Sequence, residues 1–278
     1  MCRLFFYWST TTPNPSHVIT FLEQSTHKKK YTPGLNNHRD RSVHVDGYGL
    51  AILRPNHSSW KVHKYPGTCE GNPRCLPEIE RLMRGVQSTH ILGHIRTASK
   101  NSAVVLENTH PFVYQDNVFA HNGGIRDFEQ HRSSLLKHVS PKYRPHILGT
   151  TDTEVLFYMW LTRLRDRFEQ GDTDTVFRRL HRTTCALFNI FESKNMEITA
   201  NMMWSNRYFA VITRYIHYDS ANYRWAQHPL SMYINGVDRG EVLVSSEPIT
   251  SEYRVVPENT VVLVDLRLGV VDIRPLHT

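Results

Sequence analysis

Cysteine is scarce in this chain: there are four in 278 residues, Cys2, Cys69, Cys75 and Cys185. No two have CxxC spacing, which excludes the common zinc-binding and redox pairs, and four scattered thiols make no disulfide framework. A reduced, cytosolic compartment is the expectation. No segment approaches the roughly 20 apolar residues needed to span a bilayer. The opening MCRLFFYWSTTTP is apolar. It has no basic run ahead of the apolar part and no A-x-A-like cleavage site, so it does not read as a signal peptide. No Pro/Gly/Ser-rich linker, internal repeat or low-complexity tract divides the chain, so one domain over residues 2–278 is expected. The 17 histidines show no HExxH or comparable ligand spacing, and no catalytic metal is expected.

A hydrophobic share of 40% supports a packed core and excludes disorder as the main description. Lys plus Arg exceed Asp plus Glu, 33 to 26, but the excess is spread along the chain. Its densest pieces, Lys28-Lys29-Lys30 and Arg163, Arg165 and Arg167, read as solvated surface. No nucleic-acid recognition motif accompanies them, so no nucleic-acid partner is expected. The charge is compatible with small anionic substrates.

Apolar runs predict strands at CRLFFYW, GLAIL with a hairpin partner WKVHKY, HILGHI, and residues 118–121, the last ending at Asn122-Gly123-Gly124. A loop is expected from HILGHI to about Asp116, and another over 26–45. Helices are expected over 17–24, 77–86, 125–138, 151–168 and 175–182. Thr151 and Glu154 have capping-box spacing, and Val155, Tyr158, Met159 and Thr162 would face inward. Further strands are expected at TCALFNIFE, EITANMMW, RYFAVITRYI, EVLVSS, TVVLVDL and VVDIRP. Strands, then helices, then strands imply an α+β protein of two mostly antiparallel sheets with helices outside.

Four segments carry chemistry. Cys2 follows the initiator, so loss of Met1 leaves a thiol and an α-amine on one residue. Thiolate is the reactive form of cysteine, and an α-amine titrating near pH 8 can accept the thiol proton. Cys2 can equally be a small buried hydrophobe at a strand start. In GHIRTAS, Arg96 at a strand end can hold a carboxylate through two parallel hydrogen bonds, or be an ordinary ion-paired arginine. In NTHPF and AHNGG, Asn122 and the Gly123 N–H can stabilise an oxyanion, or form only a turn. His110 is either a pocket residue or a core-edge histidine, and His121 reads as structural. In TTDTE, Asp152 can bind an ammonium group, or simply suit a first helical turn.

Together MCRL, DGYGLAI, GHIRTAS, NTHPF, FAHNGGI and TDTEV resemble a class II glutamine amidotransferase domain. The resemblance covers most of residues 2–170, and EVLVSSEPIT extends it to about 265. It is most similar to stand-alone members acting on γ-glutamyl compounds, such as fungal glutathione-degradation and ergothioneine-pathway amidohydrolases. It implies the N-terminal-nucleophile hydrolase fold, a four-layer αββα sandwich. It also implies Cys2 as nucleophile, Asn122 and Gly123 as oxyanion hole, and Arg96 and Asp152 as holders of the glutamyl carboxylate and ammonium. His110 and Thr97 would line the pocket. Synthase-linked members often carry Trp where Thr97 stands, so their glutamine-gated loop closure is not carried over. No cofactor is implied. A γ-glutamyl hydrolase is expected; the alternatives are a glutaminase subunit feeding ammonia to a partner synthase and a non-catalytic binding protein on the same fold.

Overall fold

The computed structural model describes residues 2–10, 15–24, 46–53, 59–67, 77, 81, 89–98, 102–164, 171–218, 231–237 and 240–276. Several expected features lie outside these residues: the loop over 26–45 and its lysines, Cys69 and Cys75, most of the 77–86 helix, and the end of the 151–168 helix with Arg165 and Arg167. The chain falls into two compact units, one drawn from 1–120 and 231–256, the other from 121–230 and 257–278.

The first unit is built on a seven-stranded sheet. In chain order its strands are β1 (Arg3–Ser9), β2 (Tyr48–Leu53), β3 (Lys61–Tyr65), β4 (Thr89–Ile95), β9 (Tyr233–Asn235), β10 (Glu241–Ser245) and β11 (Arg254–Val255). Their spatial order is β11-β9-β10-β1-β4-β2-β3. The pairings are antiparallel. WKVHKY does form the hairpin partner of GLAIL, with Leu50 opposite His63. Every residue of β1 is buried, as its unbroken apolar run requires. The period-2 alternation gives the core: Phe5, Tyr7, Leu50, Ile52, Ile91 and Ile95 cluster with Val18, Phe21 and Leu22 of helix α1 (Pro15–Glu23).

The second unit carries helices α2 (Phe128–Leu136), α3 (Asp152–Leu164) and α4 (Thr173–Glu192). Its strands are β7 (Ile198–Ser205), β8 (Phe209–His217), β12 (Thr260–Asp265) and β13 (Val270–Pro275). They belong to a six-stranded sheet, ordered β13-β12-β8-β7-β6-β5, with β5 (Phe112–Tyr114) and β6 (Asn117–Ile125). Stacking of Phe188 on Tyr215 at 3.8 Å ties α4 to β8, and Trp160 and Trp204, 5.5 Å apart, tie α3 to β7. Among the described residues no helix is long and apolar enough to cross a membrane.

Four expectations are corrected. TCALFNIFE is not a strand but the second half of α4. Asp172 caps that helix by accepting from the Thr175 N–H at 2.9 Å, and Val176, Phe177, Leu180, Thr184, Leu187, Phe188 and Phe191 are buried. That is a helical stripe, and its period overrides the β propensity of the segment. The strand expected to stop at Asn122 runs through both glycines to Ile125. The loop expected up to Asp116 contains β5. The helix expected from Ile125 begins at Phe128. At the start of α3 the Thr151 hydroxyl accepts from the Glu154 N–H at 3.3 Å, as the capping box requires. The Glu154 carboxylate accepts from the N–H groups of Leu148 and Gly149, at 3.0 and 2.7 Å. Nearly all of α3 is buried, so it is a core helix rather than one with a single inner face.

Candidate active site

The β1–β4 ladder pairs Arg3 with Ile95 and Leu4 with His94. Continued by one residue, that register brings Cys2 level with Arg96. The Thr97 N–H donates to Cys2 Sγ at 3.4 Å, and the thiol reaches the Thr97 carbonyl at 3.6 Å. Cys2, Arg96 and Thr97 are thus brought together within the first unit. Burial pushes the Cys2 thiol pKa up. The Thr97 N–H, Arg96 and Arg3 oppose that shift.

Arg96 is held by the DGYG segment as well as by β4. Its N–H donates to the Gly47 carbonyl at 2.7 Å, and its carbonyl accepts from the Asp46 N–H at 3.2 Å. The Asp46 carboxylate accepts from the Ala98 N–H at 2.8 Å. Arg96 as a whole is 3% exposed. Nη2 donates to Ser102 Oγ at 2.6 Å, while Nη1 is buried with no hydrogen-bond partner among the described residues. Burial lowers the Arg96 pKa, with Cys2 and Asp46 acting against it. A buried donor left open in this way suits a bound oxyanion.

His110 is 5% exposed and its ring packs, tilted, between His94, at 4.0 Å, and Phe112, at 4.9 Å. Its backbone lies on β2. A Cβ on Gly49 would stand 2.0 Å from the His110 carbonyl oxygen, so only glycine permits this approach.

In the second unit Asn122, Gly123 and Asp152 come together where β6 meets the start of α3. Asp152 Oδ2 accepts from the Ile125 N–H at 2.9 Å and Oδ1 from the Thr153 N–H at 2.7 Å. Asn122 is buried. A Cβ on Gly123 would lie 1.8 Å from the Thr199 carbonyl oxygen, so β6 and β7 are pressed together there. His121 is structural, as its sequence context indicates: Nε2 meets the Thr199 carbonyl at 2.9 Å and Nδ1 meets Thr153 Oγ1 at 3.1 Å. A carbonyl only accepts, so the proton sits on Nε2. Burial lowers the His121 pKa, with Asp152 opposing.

Residues 30–263 match the family described as glutamine amidotransferases class-II. The chain belongs to this family. The class II amidotransferases are enzymes that hydrolyse amide bonds, and this chain is one of them. It is 25% identical over 305 residues to the Saccharomyces cerevisiae protein named "Probable glutamine amidotransferase DUG3", spanning 95% of this chain and 82% of the yeast protein. The fold is that of solved relatives. A glutamine aminotransferase class-II domain protein from Silicibacter pomeroyi matches with a TM-score of 0.58 at 15% identity, covering 98% of each chain. Glutamine phosphoribosylpyrophosphate amidotransferase from B. subtilis gives 0.59 at 13% identity, covering 100% of this chain and 50% of that one. The α+β class expected from the sequence is therefore an amidotransferase fold of the N-terminal-nucleophile type.

Four residues of this amidotransferase's site region escape a sequence reading. Ser102 and Asp46 fix Arg96 and its neighbour. Arg3 donates from Nη1 to the Cys2 carbonyl at 3.0 Å, and its Nη2 is ion-paired with Glu247. Arg3 could have been flagged by its place beside Cys2, and Asp46 by its glycine neighbour. Ser102 and Glu247 carry no local signal.

Proposed function

We propose that this amidotransferase cleaves the γ-glutamyl amide bond of glutamine or a γ-glutamyl compound through a thioester on Cys2. The observation that carries the reading is the Cys2 sulfur on the Thr97 N–H, beside a buried guanidinium with an open N–H on Nη1. A buried thiol with a raised pKa is neutral near pH 7 and needs its own proton acceptor. The α-amine freed by loss of Met1 supplies one.

The thiolate attacks the γ-carbonyl carbon. The oxyanion is held by the Asn122 side-chain amide and the Gly123 N–H. The Cys2 ammonium passes its proton to the departing amine as the C–N bond breaks. Water, deprotonated by the same amine, then hydrolyses the thioester and releases glutamate. Arg96 binds the glutamyl α-carboxylate and Asp152 the α-ammonium, while Thr97 and His110 line the pocket. The likeness to the yeast protein named as a probable glutamine amidotransferase supports an amidotransferase reaction of this kind.

The test is glutamate release from glutamine and from glutathione by protein whose first residue is verified by N-terminal sequencing. Cys2→Ala is expected to lose activity on both, and protein retaining Met1 is expected to be inactive. Equal rates for wild type and Cys2→Ala would overturn the mechanism.

A further inference from the structure

We infer that Arg3 is a positioning residue for the nucleophile: with its guanidinium anchored by Glu247, it grips the Cys2 carbonyl and so fixes the thiol and α-amine. The inference rests on Cys2 being the nucleophile.

Chain ends fray unless tied down, and Cys2 lies one residue before β1 begins. The tie is built from side chains. Arg3 Nη1 donates to the Cys2 carbonyl at 3.0 Å, which restrains the peptide plane carrying the Cys2 Cα. The guanidinium cannot drift, because Nη2 is ion-paired with Glu247 and both residues are buried, 3% and 7% exposed. Glu247 is held in turn. It follows β10, the other neighbour of β1, with Phe5 opposite Ser245, and its carbonyl accepts from Ser245 Oγ at 2.5 Å. Next to it, the Ser246 N–H donates to the Leu4 carbonyl at 3.0 Å and Ser246 Oγ accepts from the Leu4 N–H at 2.9 Å. The start of β1 is thereby clasped to the end of β10, and the reacting residue hangs from that clasp.

Stability alone is a weak reason for this pair. A buried ion pair costs desolvation of both charges, and well-packed apolar residues of similar volume are often as stable or more so. What an apolar pair lacks is a donor for the Cys2 carbonyl. Arg3 also adds a fixed positive charge near the sulfur. Among the described residues the charged side chains acting on Cys2 are Arg96 and Arg3, with Asp46 acting on Arg96 and Glu247 on Arg3. The cations favour the thiolate against burial.

The experiment uses the full-length, Met1-processed enzyme and the double variant Arg3→Met/Glu247→Leu, which removes both charges together, leaves no unpaired charge, and takes the donor from the Cys2 carbonyl. Thermal stability, kcat and KM for glutamine, the pH profile of kcat/KM, and iodoacetamide alkylation are measured. Alkylation is followed on the Cys2 peptide by mass spectrometry, apart from the other thiols. The double variant is expected to fold, to keep KM within about threefold, and to lose about 100-fold in kcat, as misplacement of a reacting group by ~1 Å does. Its acid limb should move to higher pH and Cys2 alkylation should slow. Arg3→Lys keeps the charge against Glu247 without the fork. It should leave the acid limb in place while lowering kcat about tenfold, and it decides the matter if the double variant does not fold. Wild-type kcat in either folded variant would overturn the inference. An inactive Cys2→Ala beside fully active Arg3 variants would sink this inference alone, whereas an active Cys2→Ala would remove the nucleophile assignment itself.

Discussion

Replacing Arg96 with Met should leave the protein as stable as wild type, or more so, while crippling it as an enzyme. Arg96 is 3% exposed, and burial is the largest influence on its pKa, disfavouring the charge. Among the described residues its side chain donates to Ser102 Oγ alone, and Ser102 is partly exposed, so water can replace that donor at a cost below about 1 kcal/mol. The backbone bonds that fix residue 96, to Gly47 and Asp46, do not involve the side chain. A methionine of similar length fills the space without a buried charge, so the urea midpoint is expected to stay level or rise. The loss falls on substrate. Hydrogen bonds to charged groups contribute about 1.5–3 kcal/mol. At about 1.4 kcal/mol per tenfold, kcat/KM for glutamine should fall roughly 10- to 150-fold, mostly through KM, as expected for a group that grips the α-carboxylate in ground and transition states alike. Steady-state kinetics and a urea titration on the same preparation give both numbers. Wild-type kcat/KM, or a loss of several kcal/mol of stability with activity falling only in proportion to the unfolded fraction, would refute the reasoning.

Gly49→Ala should destabilise by about 3 kcal/mol or more, because its Cβ would stand 2.0 Å from the His110 carbonyl oxygen; an unchanged urea midpoint would contradict the approach of those two backbones. His121 should make the protein acid-sensitive. Its folded pKa lies below the unfolded value of about 6.5, so the unfolded state binds more protons and stability falls as pH drops below about 6.5. His121→Gln should flatten that slope by up to one proton in unfolding midpoints measured from pH 7 to 5, and an unaltered slope would mean the residue titrates normally when folded.

How legible was this in the sequence? A strand whose apolar run is unbroken, such as β1 over Leu4–Trp8, can be read directly, because burial on both sides leaves no competing pattern. The second half of α4 looks like a strand in sequence because Thr, Phe and Ile favour strands locally, whereas tertiary burial selects the helical stripe. The strands β5, β9 and β11 have three, three and two residues, too short to show a period. At the site, the proximity of Cys2 to Arg96 and Thr97 followed from motif order. The Arg3–Glu247 pair did not, since 244 residues separate its members and only the fold makes them neighbours. Asn122-Gly123 looks like a turn in sequence, and it is the tight approach of Thr199 that keeps it in a strand.

The place of β1 between β4 and β10 has a consequence for biosynthesis. Phe5 pairs with Gly93 of β4 on one side and with Ser245 of β10 on the other, so the β10 side of the first strand stays unpaired until nearly the whole polypeptide has left the ribosome. At the usual translation speed of about 5–20 residues per second, that interval is on the order of 10–50 s. Throughout it the Arg3–Glu247 pair, whose second member follows β10, stays unmade.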